Sequence, residues 1–165
     1  MKPPYPSHAP PDFVCPFCRI VLEAGKALTS HQTSDVLYQA DLGTAFLSFG
    51  RWPNNPVDVL VVPNQHFENI YDLPILYAAP LHEMTRAVAL ALKGVYRCDG
   101  VSTRQHNEPA GNQDAWHYHV HITPRYNQDN FYKSSKIAFP EDERLLEAAR
   151  LRAYIAAHQD DLFQR

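Results

Sequence analysis

The sequence predicts an α+β domain in which an antiparallel sheet of about five strands carries helices on one face. Three observations indicate this class. Short runs rich in β-branched and aromatic residues are bounded by turn residues, a long amphipathic segment separates two groups of these runs, and an acidic segment starts a closing helix. The runs predicted as strands are 36–38, 44–49, 57–62, 100–105 and 117–122.

The first predicted element is a short helix over residues 14–24. Pro16 fits its first turn, and Gly25 is expected to end it. The preceding residues, 1–12, are rich in proline and poor in apolar side chains, which is typical of an extended or disordered arm that can pack on a partner subunit. We therefore expect one domain over residues 13–165, behind this arm.

The next segments, 36–38 and 44–49, are predicted strands around a turn at 41–43. A polar loop follows at 50–56 and leads to the segment 57–62, which is apolar apart from one aspartate. An almost continuous apolar run of this length is expected of a buried strand.

Residues 73–96 are helical in composition, and Pro80 is expected to kink or restart this helix. The apolar residues at three- and four-residue spacing predict a face packed on the sheet. They are Leu81, Met84, Val88, Ala91 and Val95. A turn at 99–100 then leads to the predicted strand 100–105.

The C-terminal part begins with polar residues, among which Lys133 and Lys136 either meet distal phosphates of a ligand or are solvated. Pro140 and the acidic residues after it start the last helix, since negative charge is favourable in a first turn. Its apolar stripe consists of Leu145, Ala148, Leu151 and Ile155.

The most informative stretch is 116–126, where His117, His119 and His121 alternate with apolar or aromatic residues. In a β-strand the three imidazoles would line one face, about 7 Å apart at each step, and the residues between them would face the core. Such a ladder is a metal site, a polar solvent face or a reactive centre. Imidazole suits nucleophilic and acid–base work near neutral pH, and the strict alternation on an apolar strand favours a functional role.

The segment His117-Tyr118-His119-Val120-His121-Ile122-Thr123 resembles the motif of the histidine-triad (HIT) family of nucleotide hydrolases and transferases. Further segments resemble elements of the same family in the same order, and the resemblance covers about residues 13–127. These segments are 15–20, 45–48, 61–66 and 110–113. The resemblance implies a HIT-like fold, a homodimer, and substrates such as dinucleoside polyphosphates or nucleoside phosphoramidates.

The resemblance also implies roles for individual residues. His119 would attack the α-phosphorus to form a nucleotidyl-histidine, and His121 would contact phosphate oxygens and help the leaving group. The residues expected to bind the nucleotide are Ser48, Gln105, Asn107, Gly111 and Gln113.

Two positions depart from the family pattern. Ser48 stands where the family places an acidic residue that holds the ribose, and a hydroxyl is a weaker acceptor. Asn54 or Asn55 either replaces that contact or is a turn residue. Asp114 would repel a polyphosphate, so it is expected to face a cation or a metal site.

Cys15 and Cys18 are spaced so that both thiolates can bind one metal ion, and Zn²⁺ prefers four tetrahedral nitrogen and sulfur ligands. Redox chemistry and plain structural cysteines are the alternatives. The family resemblance points to His66 and His117 as the other two ligands of a structural zinc. Such an ion would connect the strand that carries the triad to the helix predicted over residues 14–24. The third cysteine, Cys98, is predicted to lie in the core.

The whole chain of 165 residues has a net charge of −3, so we expect no nucleic-acid partner. No apolar run approaches a membrane span and no signal-peptide core is present, which predicts a cytoplasmic protein. An odd number of cysteines argues against a disulfide framework. The alternative to an enzyme is a zinc-stabilised nucleotide-binding module with little turnover that acts through partners.

Overall fold

The computed structural model describes residues 5–30 and 35–163. The strands are β1 (Val36–Gln39), β2 (Gly43–Leu47), β3 (Gly50–Arg51), β4 (Val59–Pro63), β5 (Gly100–Gln105), β6 (Val120–Arg125) and β7 (Ile137–Ala138). The helices are α1 (Pro16–Ser30), α2 (Ala78–Tyr96), α3 (Glu141–Ala157) and α4 (Gln159–Phe163), with short 3-10 turns at Ile75–Tyr77, Pro109–Gly111 and Phe131–Lys133.

The main sheet is antiparallel and has the strand order β1-β2-β4-β6-β5. The predicted α+β class and five-stranded sheet are confirmed. A separate two-stranded pair joins β3 to β7. We predicted only a loop at 50–56, because two residues are too few to show a strand pattern and their partner lies far along the chain.

Side-chain alternation along the central strands creates two separate hydrophobic clusters. The α2-side core lies under α2 and α3 and includes Ala45, Val59, Val61 and Ile122. The α1-side core contains Phe17, Val21, Ala24, Val36, Phe46, Leu60 and Val62. Successive strand residues point to opposite faces, so helices cover both faces of the sheet and not one face as expected.

Two helices differ from their predicted limits. Helix α1 starts at Pro16, two residues later than expected, and continues through Gly25 to Ser30. A glycine inside a helix costs only about 1 kcal/mol, and the burial of Phe17, Val21 and Ala24 offsets it. Helix α2 starts at Ala78, and Pro80 lies in its first turn, where a missing N–H is tolerated.

The predicted core face of α2 is confirmed, because Leu81, Met84, Val88 and Ala91 are buried and Val95 packs against the same core. In α3, Ala148, Leu151 and Ile155 are buried as predicted. Among the described residues, no helix has the length and apolar composition needed to cross a bilayer.

Strand β6 starts only at Val120, so the predicted strand 117–122 was too long at its beginning. The triad residues before it are not part of the ladder, because the pairing of β4 with β6 stops at Val61 and Val120, although β4 itself continues to Pro63. The backbone N–H of Tyr118 donates instead to the carbonyl of Phe67, in the loop after β4, at 2.6 Å.

The described part of the N-terminal arm contacts its own chain near the triad. Ser7 and the backbone N–H of His8 donate to the carboxylate of Glu68. The His8 ring stacks on Trp116 at a centroid distance of 5.9 Å. The arm therefore covers the loops that precede β6.

Candidate functional site

The three histidines of the triad are buried on the α1 side of the sheet. The His119 and His121 rings lie 4.9 Å apart, and the edge of Phe17 contacts both His117 and His119. Tyr118 and Ile122 point into the α2-side core. The predicted alternation is therefore confirmed, although only His121 lies within a paired strand.

His119 is held in one tautomer. Its Nδ1–H donates to the carbonyl of His117 at 2.8 Å, which leaves the lone pair on Nε2. Burial lowers the pKa of His119 to about 4, so the ring is neutral at physiological pH. A neutral imidazole with a free Nε2 can attack an electrophilic phosphorus without first losing a proton.

His121 is oriented by a buried carboxylate. Its Nδ1–H donates to Asp58 at 2.9 Å, and Asp58 also accepts hydrogen bonds from Thr123 at 2.7 Å and Lys136 at 2.9 Å. Burial alone would raise the pKa of Asp58, but the His121 hydrogen bond and the charges of His121 and Lys136 outweigh it and hold that pKa below its ordinary value. The Nε2 of His121 is thereby left for a ligand.

Sequence reasoning missed the role of Asp58. A single carboxylate inside an apolar run was the available signal, because such a group is buried only when it is paired. Lys136 remains partly exposed, but its ammonium is bound to Asp58 and lies over the Trp52 ring, so it is not free for a distal phosphate.

The predicted metal ligands come together beside the triad. The Sγ atoms of Cys15 and Cys18 and one ring nitrogen each of His66 and His117 all lie within 4.8 Å of one another. The distance from Cys15 Sγ to His117 Nδ1 is 3.3 Å, and that from Cys18 Sγ to His66 Nδ1 is 3.4 Å. Tetrahedral zinc with two sulfur and two nitrogen ligands places its donors about 3.6 Å apart.

The electrostatics of this cluster also suit a cation. His117 Nε2–H donates to the Pro63 carbonyl at 3.1 Å, which keeps its Nδ1 unprotonated for a metal. Burial opposes ionisation of Cys15, but hydrogen bonds with the two histidines lower its pKa to about 5. Burial and the neighbouring Cys15 raise the pKa of Cys18 to about 11, so a bound cation is needed for both sulfurs to be thiolates.

The surroundings of the two thiols distinguish the interpretations of the cysteine pair. Two convergent imidazoles fit a metal site, whereas a dithiol redox centre needs no such ligands. The remaining cysteine, Cys98, is buried as predicted.

The predicted nucleotide-binding residues differ in their surroundings. Gln105, the register partner of Val120, exchanges two side-chain hydrogen bonds with Asn107 at 2.9 and 2.8 Å. Ser48 is buried at the end of β2, where its N–H donates to the Asp58 carbonyl. Gly111 is exposed at the end of a 3-10 turn.

Gln113 is buried, and its side chain ties together the loop that leads to the triad. Its Oε1 accepts from the Glu108 N–H at 2.7 Å, and its Nε2 donates to the carbonyls of Glu68 and Ala115 at 2.6 and 3.0 Å. These contacts hold the backbone of the loop before the triad, and the Gln113 amide is used for them and not for a ligand.

The positions that depart from the family pattern have defined surroundings. Asp114 is exposed, and its Oδ1 lies 3.9 Å from Nε2 of His119, so it faces the reactive ring and not the metal cluster. Asn54 and Asn55 both donate to Asp129, and Asn55 also donates to the Pro124 carbonyl. Those two asparagines are therefore turn residues.

Comparison with known proteins agrees with this geometry. The HIT domain family matches residues 29–128, more than half of the chain. The chain is 33% identical over 79 residues to the AP-4-A phosphorylase of Mycobacterium tuberculosis, covering 47% of this chain and 40% of that protein. It is 30% identical over 90 residues to the purine nucleoside phosphoramidase of Escherichia coli, covering 54% of this chain and 74% of that protein.

Solved structures show the same fold. The crystal structure of a Zn-bound histidine triad family protein from Mycobacterium smegmatis superimposes with a TM-score of 0.70. The two chains are 24% identical, and the match covers 89% of this chain and 96% of the other.

Proposed function

Because the chain belongs to the HIT domain family, we propose that it cleaves a nucleotide substrate at the α-phosphate through a nucleotidyl-histidine intermediate. The observation that carries this proposal is the buried, neutral His119 with Nδ1 bound to a carbonyl and Nε2 free. Relatives named for AP-4-A and for a purine nucleoside phosphoramidate direct the proposal to phosphoanhydride and phosphoramidate substrates.

In the proposed reaction, the Nε2 lone pair of His119 forms a bond to the α-phosphorus while the bond to the leaving group breaks. The departing atom keeps the electron pair, and the imidazole becomes cationic. The hydrogen bond from Nδ1–H to the His117 carbonyl stabilises that charge. Water then attacks phosphorus and loses one proton to the departed leaving group or to solvent. The P–N bond breaks with its electron pair returning to Nε2, and the mononucleotide leaves with His119 neutral again.

The remaining residues position the substrate in this scheme. His121, oriented by Asp58, contacts the phosphate oxygens and the leaving group through Nε2. Gln105, Asn107 and the backbone at Gly111 bind phosphate, and Ser48 binds the ribose. Gln113 acts through the loop that it holds, since its own amide is already bonded.

We also propose one structural zinc ion held by Cys15, Cys18, His66 and His117. The ion would join α1 to the triad segment and so hold His119 in place; it supplies rigidity and no reactive water. Metal analysis of the purified protein should give one zinc per chain, and Cys18→Ser should lose it. Cys98→Ser is the matched control, and an unmutated protein without zinc would contradict the assignment.

The assembly and location are proposals of the same kind. The family resemblance and the position of β5 as the last strand of the sheet support a homodimer. Sedimentation at micromolar concentration should give twice the mass of the chain. The cytoplasmic location stays a prediction, which cell fractionation would test.

Single-turnover mixing tests the reaction. The protein is mixed with adenosine 5′-phosphoramidate and, separately, with diadenosine tetraphosphate, beside His119→Ala. Release of AMP by the unmutated protein and none by the variant is expected. Binding of either compound without turnover would favour the nucleotide-binding module, a second candidate supported by Asp114 facing the reactive ring.

A further inference from the structure

A group of cations and aromatic rings lies next to His121, outside the triad. Arg104 of β5 is the register partner of His121 on β6, so both side chains are on the same face of the sheet. The Trp52 and Phe131 rings lie 4.2 Å apart between centroids. The guanidinium of Arg104 lies 4.6 Å from the centre of Trp52 and 4.5 Å from that of Phe131.

The other cations at these rings are neutralised by carboxylates. Arg125 lies 3.9 Å from the Phe131 centroid and makes two hydrogen bonds to Asp129, at 2.7 and 2.8 Å. Lys136 lies 4.6 Å from the Trp52 centroid and is bound to Asp58.

Arg104 differs from both. Within residues 5–30 and 35–163, no carboxylate lies at ion-pair distance from it, and its buried Nε–H has no hydrogen-bond acceptor. A buried N–H of a charged group without an acceptor is costly, by more than an ordinary hydrogen bond contributes. The two rings lie against the guanidinium, and its N–H groups are left for an oxyanion.

We propose that Arg104 binds a phosphate of the leaving group, so that the site prefers substrates whose leaving group is a phosphate or polyphosphate. This inference rests on the proposed function and assigns its substrate class, phosphoanhydrides such as dinucleoside polyphosphates. When the bond from the α-phosphorus to the bridging oxygen breaks, the electron pair stays on that oxygen. The leaving polyphosphate gains negative charge beside His121, where Arg104 offsets it.

The test compares Arg104→Gln with Arg150→Gln, which removes an equal charge from an exposed position on α3. A charged hydrogen bond lost in this way corresponds to about a 10- to 100-fold change. We expect kcat/KM for diadenosine tetraphosphate to fall by that factor in Arg104→Gln. The loss with adenosine 5′-phosphoramidate, whose leaving group carries no phosphate, should be at least tenfold smaller.

Equal losses with both substrates, or no loss with either, would overturn the assignment. Arg104→Lys keeps the charge but not the planar guanidinium, so it should give an intermediate loss of kcat/KM for diadenosine tetraphosphate. This variant replaces Arg104→Gln in the test if the glutamine variant does not fold. Calorimetric titration with inorganic tripolyphosphate gives a readout without turnover, and Arg104→Gln should weaken binding about tenfold or more. If tripolyphosphate binding depends on Arg104 but the unmutated protein releases no AMP, only the proposed reaction is refuted. If AMP is released equally by the unmutated protein and by Arg104→Gln, only the proposed role of Arg104 is refuted.

Discussion

Asp58 has no exposed surface, and its carboxylate accepts hydrogen bonds from His121, Thr123 and Lys136 at 2.7 to 2.9 Å. Asp58→Asn keeps the shape of the side chain and removes its charge. His121 and Lys136 both donate to the same oxygen of Asp58. An amide nitrogen in place of that oxygen would be a donor facing two other donors. The perturbation therefore affects both the stability of the fold and the orientation of His121.

The size of the effect follows from these contacts. Removing one partner of a buried ionic group typically costs about 3–5 kcal/mol, and the remaining amide oxygen can still accept from Thr123. We expect the free energy of unfolding to fall by about 3 kcal/mol. For a chain of this size that corresponds to a decrease in Tm of roughly 6–12 °C. The turnover number should fall by about 10- to 100-fold, because His121 loses its fixed tautomer.

Urea unfolding followed by tryptophan fluorescence and steady-state release of AMP measure the two effects. Thr123→Val is the control, since it removes one neutral donor and keeps the Asp58–His121 pair; it should cost about 1–2 kcal/mol and change kcat by less than threefold. An Asp58→Asn protein with the stability and kcat of the unmutated chain would refute the reasoning. A Thr123→Val protein with an equal loss of kcat would show that packing, not the charge, positions His121.

Three further expectations concern other parts of the chain. Hydrogen bonds from Arg125 hold the pKa of Asp129 well below its ordinary value of 3.8. The stabilisation from the ionised Asp129 is therefore complete above pH 3.8 and is lost as the pH falls below that value. The urea midpoints at pH 5 and pH 2.5 should differ more for the unmutated protein than for Asp129→Asn. A Cβ at Gly94 would overlap the phenol of Tyr154, so Gly94→Ala should lower the free energy of unfolding by about 1–3 kcal/mol, and an equal loss in a Tyr154→Ala background would contradict this. Asp114→Asn should raise kcat/KM for a polyphosphate substrate about fivefold at low ionic strength, because it removes about 1 kcal/mol of charge repulsion next to the His119 ring. Salt screens such repulsion, so an increase that persists in 1 M salt would rule out an electrostatic cause.

The features that the sequence predicts well are those with a repeating pattern. Alternation placed Tyr118 and Ile122 in the core, and the helical spacing identified the buried face of α2. The convergence of two cysteines and two histidines was expected from the family resemblance and agrees with the structure.

The features that the sequence does not predict depend on contacts between distant residues. The role of Asp58 requires Lys136, which lies 78 positions later. The role proposed for Arg104 depends on the register in which β5 pairs with β6, which places Arg104 opposite His121. The extent of α1 depends on burial against the sheet, which outweighs the local preference of Gly25.

The sheet that separates the two hydrophobic clusters has a consequence for protein engineering. Substitutions in the α2-side core, for example at Val61, alter a cluster that shares no residue with the one containing Phe17. Core variants that fill space beneath α2 should therefore raise thermal tolerance while the histidine rings, which Phe17 contacts from the other face, keep their positions. A library for stabilisation belongs on the α2 side, and a library for altered specificity belongs on the α1 side.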